Sequence, residues 1–310
     1  MIKSRAKALA AVPQRVYGTL RGFHYIYQLH KHPECIYFVA PYGIGDTLML
    51  AGLMREYKKL NHIGKICFVV KNSHRDLAAM FDAVDEVIAD DKMVKYLRAF
   101  AVNMRKFVFA NFRYGHFILE FGWPEPGLML GVKGVSLLDV YRRAVLNLPL
   151  DSKVESPKLF MDKKEIEKFA EKYPPDRRVA VLMPYAVTIE NLDPAFWEKI
   201  AAELNRKGYA VYTNIIKDTE PVIPGTEGMI LSLKELYCLA SVNKWVCIAL
   251  RSGICDLLAF SDIRTVVIHD SQLAYDVWNI KNLELFNPNV TEVILDEDND
   301  RTVREIVDGL

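Results

Sequence analysis

The sequence predicts an α/β protein of two Rossmann-like domains, and three observations lead to this prediction. Apolar strands alternate with helical segments along both halves of the chain, which is typical of a parallel sheet covered by helices on both faces. The 310 residues exceed the usual size of a single hydrophobic core. Each half also contains an apolar strand that runs through a glycine turn into a helix, at residues 43–46 and 251–253. We therefore expect two facing domains with a cleft between them.

In the first half, the apolar pattern switches repeatedly between the period of a strand and the period of a helix. The predicted strands cover residues 35–40, 65–70, 86–89 and 116–120. The predicted helices cover residues 47–60, 74–81, 93–109 and 136–146. This order is that of a parallel sheet with crossover helices.

The second half repeats the alternation. Its predicted strands cover residues 178–183, 209–214, 245–250 and 265–269, and its predicted helices cover residues 194–207 and 233–242. Asp193 before Pro194 marks one helix start, and Gly208 marks the end of the same helix. Ser232 and Glu235 form the pattern of a capping box at the next helix.

A linker joins the two halves. Residues 149–157 begin and end with proline, and the charged stretch at residues 161–172 predicts a bridging helix. We therefore place the domain boundary near residue 155, which gives domains of residues 1–155 and 156–310.

Net charge and its distribution constrain the partners. The net charge of +1 argues against a nucleic-acid partner, because such proteins usually carry a strong basic excess. Residues 1–33 contain six Lys or Arg residues and no acid, and residues 92–116 are again free of acids and mix basic with aromatic residues. This mixture suits an anionic membrane surface or a lipid-linked, phosphorylated acceptor. Solvated helix faces beside core aromatics are the alternative interpretation.

The length of the apolar runs and the pattern of the cysteines predict where in the cell the protein lies. No run reaches the roughly 18 apolar residues of a membrane span, and no secretory signal is evident. The five cysteines lie in predicted strands and helices without metal-type spacing, as expected for reduced thiols. We expect a cytoplasmic protein, with peripheral attachment at the inner membrane face left open.

The first glycine turn, Gly43-Ile44-Gly45-Asp46, predicts an anion site, because a helix that starts there directs unpaired N–H groups at one spot. Asp46 has two interpretations: a helix-capping residue, or a general base that takes a proton from an acceptor hydroxyl. Glu120, at the end of a predicted strand, is a reserve carboxylate on the acceptor side.

A nicotinamide cofactor is not expected at this turn. Leu48 stands where a dinucleotide fingerprint has its third glycine, and no acid ends the second strand to hold a ribose. NADP stays open, since Lys71 at that strand end suits a 2′-phosphate.

The second glycine turn, Arg251-Ser252-Gly253, predicts a diphosphate site. An exposed arginine at a strand end can hold a diphosphate with two hydrogen bonds, Ser252 can cap the helix while donating to phosphate, and Gly253 lets the backbone approach a ligand. Asp256, one turn into the helix, either binds a sugar hydroxyl or pairs with Arg251. Cys255 is expected to be a packed thiol.

Further residues complete the expected donor side. Pro184 and Tyr185 end the first strand of the second half, and Thr188 follows in the same loop. No metal is assigned, because Asp296, Asp298 and Asp300 lack the glycine and glutamate of a calcium loop, and the N-terminal histidines have no zinc-like partners.

These motifs resemble those of the heptosyltransferase-like glycosyltransferases of the GT-B fold. The turn from Gly43 to Asp46 is similar to the first-domain loop of that family, whose aspartate acts as the base. Met183-Pro184, followed by a helix with Trp197 near its start, is similar to the layout of the family's second domain. The resemblance implies an acceptor-binding first domain, a donor-binding second domain and a catalytic role for Asp46.

Two departures from the family pattern concern the donor side. Arg251-Ser252-Gly253 and Asp256 stand where the family usually has Asp-Ser-Gly and a histidine, and residues 187–193 lack the family's lysine. An arginine holds the nucleotide diphosphate in other transferases of the fold, so Arg251 is expected to compensate.

The expected activity is transfer of a sugar from a nucleotide-diphospho-sugar to a cell-surface glycan or lipid-linked acceptor, with inversion and with no metal or other cofactor. A nucleotide-sugar epimerase and a non-catalytic sugar-nucleotide-binding or partner-binding protein of the same fold are the alternatives.

Overall fold

The computed structural model divides the chain into two compact units. Unit 1 comprises Met1–Leu130 and Leu138–Glu155, and unit 2 comprises Gly131–Leu137 and Ser156–Leu310. The structure describes residues 12–29, 35–40, 43–97, 107–109, 136–158, 163–173, 178–186, 189–215, 220–281 and 289–310.

Unit 1 alternates helices and strands from its first described residue. Its strands are β1 (Cys35–Val39), β2 (Lys65–Val70), β3 (Glu86–Ala89) and β4 (Phe107–Phe109). Its helices are α1 (Val12–Leu29), α2 (Ile44–Asn61), α3 (Arg75–Ala79) and α4 (Asp91–Leu97). A helical turn, α5 (Leu137–Asp139), continues as a π-helix over Val140–Val145.

The sheet of unit 1 is parallel and has the strand order β3-β2-β1-β4. One face packs on α1 and α4 through buried side chains that include Tyr37 and Val39. On β1, Phe38 points to the opposite face and stacks on Phe68 of β2. Tyr57 of α2 packs on Phe38 at this second face. The prediction of a parallel sheet covered by helices on both faces is thus met in this unit.

One predicted element of unit 1 is wrong. Residues 93–109 were expected to form one helix, but α4 ends at Leu97 and Phe107–Phe109 pairs with β1 as a parallel strand. Two phenylalanines and a valine have high strand propensity, and pairing beside a buried central strand decides their conformation. The strand predicted at residues 116–120 lies outside the described residues.

Unit 2 contains six strands and six helices between Ser156 and Leu310 that the structure describes. The strands are β5 (Val179–Met183), β6 (Ala210–Asn214), β7 (Glu227–Met229), β8 (Val246–Leu250), β9 (Arg264–His269) and β10 (Val290–Ile294). The helices that follow α6 (Lys163–Lys172) are α7 (Pro194–Arg206), α8 (Leu233–Asn243), α9 (Gly253–Leu258), α10 (Gln272–Trp278) and α11 (Asn299–Asp308). The outer strands β7 and β10 were not predicted, because β7 has only three residues and Thr291 and Glu292 interrupt the apolar run of β10.

The sheet of unit 2 is also parallel, with the order β10-β9-β8-β5-β6-β7. Its core packs α7 and α11 against the sheet and includes the fully buried Trp197. Across the residues that the structure describes, no helix is both long and apolar enough to cross a membrane.

The predicted helix caps of unit 2 are confirmed. Asp193 accepts a hydrogen bond from the N–H of Ala195 with Pro194 at the first helical position, and Gly208 after α7 has a φ of 83°. Ser232 and Glu235 exchange the two hydrogen bonds of a capping box at 3.2 and 2.7 Å.

Candidate functional site

Among the described strands, the order of each sheet reverses at one topological switch point, which is where open α/β sheets usually bind ligands. In unit 1, β1 lies between β2 and β4 in the sheet, and the loop after β1 contains the Gly43 turn. In unit 2 the neighbours at the switch point are β5 and β8, whose loops begin at Pro184 and Arg251. The strand order therefore places both predicted glycine turns at the ligand edge of their own sheet.

The Gly43 turn begins helix α2. Gly43 is the N-cap residue, and Asp46 is the third helical residue, whose Oδ2 accepts a hydrogen bond from the N–H of Gly43 at 2.7 Å. A Cβ atom at position 43 would lie 3.3 Å from this carboxylate oxygen. Glycine thus lets the backbone approach Asp46 closely, and the capping interpretation of Asp46 describes one of its two oxygens.

The other oxygen of Asp46 has a partner that the sequence did not reveal. Tyr141, on the π-helix, donates a hydrogen bond from its hydroxyl to Oδ1 of Asp46 at 2.5 Å. Tyr141 is fully buried. No sequence signal distinguishes it from the core residues around it, because it lies in a predicted amphipathic helix and 95 residues from its partner.

Burial changes the acidity of Asp46. Removal from water raises the pKa of this carboxyl group above its usual value, because burial disfavours the charged form. The hydrogen bonds from Tyr141 and Gly43 and the positive charge of Lys71 act in the opposite direction and are weaker in sum. The result is a carboxylate of increased basicity that is held in place at both oxygens, which suits a general base.

Thr47 and His74 form a chain of hydrogen bonds that leads to the same turn. The hydroxyl of Thr47 donates to the carbonyl of Gly43 at 3.1 Å, and its oxygen lies 3.1 Å from Nδ1 of His74. Burial and the nearby charge of Lys71 lower the pKa of His74 to about 4, so its ring is neutral at physiological pH. Since the Thr47 proton is used on Gly43, His74 is the donor through Nδ1–H.

Two more residues were predicted for the acceptor side. Gly45 is buried as the second residue of α2. Glu120 lies outside the described residues.

The Arg251 turn differs from its prediction. Arg251 was expected to be exposed, but it is 5% exposed and donates three hydrogen bonds to the protein. Nε donates to the carbonyl of Trp278 at 2.7 Å, and the two terminal nitrogens donate to the carbonyl of Ser252 at 2.6 Å and to Asp256 at 2.7 Å. Of the two interpretations of Asp256, the structure shows the ion pair with Arg251.

The strand-end position explains why Arg251 turns inward. β8 lies inside the sheet between β5 and β9, so a side chain at its end is covered by the neighbouring α10 region rather than by solvent. Burial acts to lower the pKa of Arg251, but the carboxylate of Asp256 outweighs it and the pKa is raised. The charged guanidinium therefore holds the loop after β8 in place through its three hydrogen bonds.

Ser252 and Gly253 start helix α9. Ser252 is the N-cap residue, but its side chain makes no capping hydrogen bond, contrary to the prediction. Its φ of −155° is ordinary extended backbone. Cys255 is a packed thiol as expected: Sγ contacts the carbonyl of Leu250 at 3.5 Å, and burial raises its pKa to about 11.

A buried contact between a histidine and a carboxylate lies next to the Arg251 loop and was not predicted. Nε2 of His269, the last residue of β9, lies 3.0 Å from Oε1 of Glu292 on β10, and both side chains are at most 1% exposed. Glu292 also accepts the backbone N–H of Ile280 at 2.7 Å. Arg251 and Glu292 thus hold the same short segment, residues 278–281, at the carboxyl edge of the sheet.

The β5 loop contains the remaining predicted donor residues. Pro184 is buried after β5, and the hydroxyl of the half-buried Tyr185 donates to the carbonyl of Pro221. The N–H of Ala186 donates to Asn191 at 3.1 Å, which closes the loop on itself. Thr188 lies outside the described residues.

The structure is similar to solved glycosyltransferase structures along most of its length. E. coli ADP-heptose lps heptosyltransferase II matches with a TM-score of 0.59 and 14% identity, over 89% of this chain and 97% of that one. A family 9 glycosyl transferase from Veillonella parvula gives 0.57 and 12%, over 89% of each chain. E. coli heptosyltransferase WaaC with ADP also gives 0.57 and 12%, over 89% and 100%.

Comparisons by sequence give no match. No model of a known protein family matches the chain, and a search of curated proteins finds no relative. At identities of 12 to 14% the structural likeness establishes the fold alone. The prediction of an α/β fold with parallel sheets is confirmed, and the chain has the GT-B-like fold of the heptosyltransferases that its motifs resemble.

Proposed function

We propose that this protein is a glycosyltransferase that moves a sugar from a nucleotide-diphospho-sugar to an acceptor hydroxyl with inversion. The observation that carries the proposal is the environment of Asp46. Asp46 is half-buried, and its carboxylate has a raised pKa and is held by Tyr141 and Gly43 at the switch point of a parallel sheet. A purely structural cap does not need a second, buried donor from a segment 95 residues away.

In the proposed reaction Asp46 accepts the proton of the acceptor hydroxyl. The acceptor oxygen forms a bond to the anomeric carbon of the donor sugar while the bond from that carbon to the diphosphate oxygen breaks. The nucleotide diphosphate leaves with the bonding electron pair, and the product carries the new glycosidic bond. Direct displacement by one nucleophile inverts the configuration, and the raised pKa of Asp46 favours the proton transfer.

We assign donor binding to unit 2, at the loops after β5 and β8. Pro184, Tyr185, Ser252 and Gly253 lie in these two loops at the switch point, and Thr188 belongs to the first of them by sequence. In place of the direct diphosphate grip expected from the sequence, Arg251 is assigned a positioning role. Its three hydrogen bonds and its pair with Asp256 fix the β8 loop against residue 278.

The structural neighbours suggest which donors to test first. WaaC has been solved with ADP and with ADP-2-deoxy-2-fluoro heptose. A nucleoside diphosphate joined to a hexose or heptose is therefore the donor class that we propose, and we propose that neither a metal ion nor another cofactor takes part. The proposed acceptor is a cell-surface glycan or a lipid-linked precursor of one.

We place the reaction in the cytoplasm. All five cysteines are buried thiols in the part of the chain that the structure describes, and such use of cysteine is typical of a reducing compartment. Nucleotide sugars as proposed substrates agree with that placement.

Two measurements test the function. The first is a thermal-shift screen with ADP, UDP, GDP, CMP and dTDP, where a ligand at ~100 times its Kd adds about 2.7 kcal/mol to the free energy of unfolding. The second is a transfer assay with the matching nucleotide sugars and a glycan extract, in the presence and absence of EDTA. Acceptor-dependent release of nucleoside diphosphate is expected in both conditions. Binding without any turnover would favour a sugar-nucleotide-binding protein, and isomerised donor would favour an epimerase.

A further inference from the structure

Helix α1 is apolar on two different faces. Its inner face contributes Tyr25, Ile26 and Leu29 to the core that α1 shares with α4 and the sheet. This packing fixes the orientation of the helix, and the hydroxyl of Tyr37 on β1 also donates to the carbonyl of Leu29 at 2.9 Å. The side of α1 that faces away from the sheet is therefore determined as well.

The outer face of α1 carries a second apolar stripe, which consists of Val16, Leu20, Phe23 and Tyr27. These side chains are 53%, 64%, 54% and 67% exposed. At 100° per residue, their spacing places all four within an arc of about 60° on the helix surface. With Tyr17, this one helix holds five of the ten large apolar side chains that are exposed among the described residues. Such a concentrated patch indicates an interaction surface rather than scattered surface residues.

The charge of the segment around the stripe indicates which kind of partner binds there. Residues 1–33 carry six Lys or Arg residues and no acid, although the net charge of the whole chain is only +1. Arg21 lies about 100° around the helix from Leu20, and its Nε donates to the hydroxyl of Tyr17, which is nearer to the stripe, at 3.1 Å. On the packed helix α4, Lys92 and Lys95 are exposed beside one exposed acid, Asp91. Two copies of so basic a segment would repel each other, whereas an anionic surface would attract it.

We propose that α1 is an interfacial helix that docks unit 1 onto an anionic lipid bilayer. Val16, Leu20, Phe23 and Tyr27 enter the boundary between headgroups and acyl chains, and the aromatic rings suit that depth. Arg21 and the neighbouring basic residues contact the lipid phosphates. This inference goes beyond the proposed transferase activity and does not depend on it, because it uses none of the residues assigned to catalysis or donor binding.

The test is flotation of the full chain with vesicles of phosphatidylcholine alone or mixed with phosphatidylglycerol. The wild-type protein is expected to float with the mixed vesicles and to bind less when the salt concentration rises. The double variant Leu20→Glu, Phe23→Glu is expected to bind at least ~10-fold more weakly, because it loses two large apolar side chains from the lipid phase. Leu60→Glu is the matched control, since Leu60 is 54% exposed on α2 of the same unit.

A second variant separates charge from apolar contact. Arg21→Gln keeps the stripe and is expected to weaken binding to the mixed vesicles only. Circular dichroism and thermal unfolding verify that the variants fold, as the exposure of all substituted side chains leads us to expect. Three outcomes would overturn the proposal: no flotation of the wild type, equal flotation of the double variant, or a dimer in sedimentation velocity that the double variant dissociates. The last outcome would identify a second copy of the chain as the partner.

Discussion

The hydroxyl of Tyr141 donates to Oδ1 of Asp46 at 2.5 Å, while Oδ2 of the same carboxylate accepts the N–H of Gly43. Both donors come from unit 1, one from the π-helix and one from the turn that starts α2. Because each carboxylate oxygen can accept two hydrogen bonds, the arrangement orients Asp46 and still leaves it able to accept a proton. The relationship makes Tyr141 the positioning residue for the proposed base.

Replacing Tyr141 with phenylalanine is expected to shift the pH dependence of transfer. The Tyr141 hydrogen bond stabilises the charged carboxylate and so lowers the pKa of Asp46; its loss raises that pKa further. Since the base must be deprotonated, the acidic limb of the kcat/KM profile moves to higher pH. Tyr57→Phe, on α2 but with its ring against Phe38, is the control and is expected to leave the limb in place. An unchanged limb in Tyr141→Phe would contradict the positioning role.

Glycine at position 52 is required by a close approach to residues 154 and 155. The N–H of Glu155 donates to the carbonyl of Gly52 at 2.7 Å, and a Cβ atom there would lie 2.5 Å from Val154 Cγ1. Gly52→Ala is expected to lower the free energy of unfolding by about 1–3 kcal/mol, although alanine is the better helix former. Gly64→Ala is the control, because a Cβ atom at Gly64 meets nothing within 4 Å. Chemical denaturation of both variants measures the difference, and equal stabilities would refute the close packing.

The buried ion pair of Arg251 and Asp256 predicts a large effect on stability. Asp256→Asn leaves the guanidinium of Arg251 buried without its charged partner, which costs about 3–5 kcal/mol. Asp262→Asn breaks an exposed pair with Lys244 instead and is expected to cost less than about 1 kcal/mol. Urea unfolding of the two variants provides the comparison. Equal losses of unfolding free energy in the two variants would show that the pair of Arg251 and Asp256 does not stabilise the loop.

The buried carboxylate of Glu292 beside His269 makes stability depend on pH. Burial acts to raise the pKa of Glu292, but the hydrogen bonds from His269 and Ile280 outweigh it and the pKa is lowered. A lowered carboxyl pKa contributes stability above the unfolded-state pKa and loses it as the pH falls through the folded-state value. Glu292→Gln is therefore expected to flatten the acid side of the unfolding free energy against pH. Glu297→Gln, on an exposed turn, removes one carboxyl group without touching the contact with His269 and is the control variant. An acid side as steep in Glu292→Gln as in the wild type would contradict this role of Glu292.

The elements that sequence patterns predicted well are those decided locally. β2 and β3 match their predicted bounds, and the capping box of Ser232 fixes the start of α8. Phe107–Phe109 was assigned to a helix because a short apolar run has no period of its own, and its strand conformation comes from pairing with β1. Local pattern cannot show such a pairing.

The candidate site follows the same division. The Gly43 turn and Asp46 were predictable because a glycine turn between strand and helix is a local signal. Tyr141 and Glu292 were not, since each meets its partner through the tertiary fold. Arg251 was predicted at the correct turn, but its exposure was wrong. Its guanidinium is held by the carbonyl of Trp278 and the carboxylate of Asp256, and sequence pattern alone does not show these contacts.

The most direct test of the account is the transfer rate of Asp46→Asn beside that of Asp76→Asn. Asp76 is an exposed aspartate in the first turn of α3 and serves as the control. Burial raises the pKa of Asp46, so its carboxyl group favours folding at low pH and this contribution is lost as the pH rises through the folded-state value. The uncharged amide avoids that loss, and the variant is expected to fold at neutral pH. We expect Asp46→Asn to lower kcat by roughly 10²–10⁴-fold with the fold intact, and Asp76→Asn to retain full activity. A folded Asp46→Asn protein that transfers sugar at the wild-type rate would contradict the account.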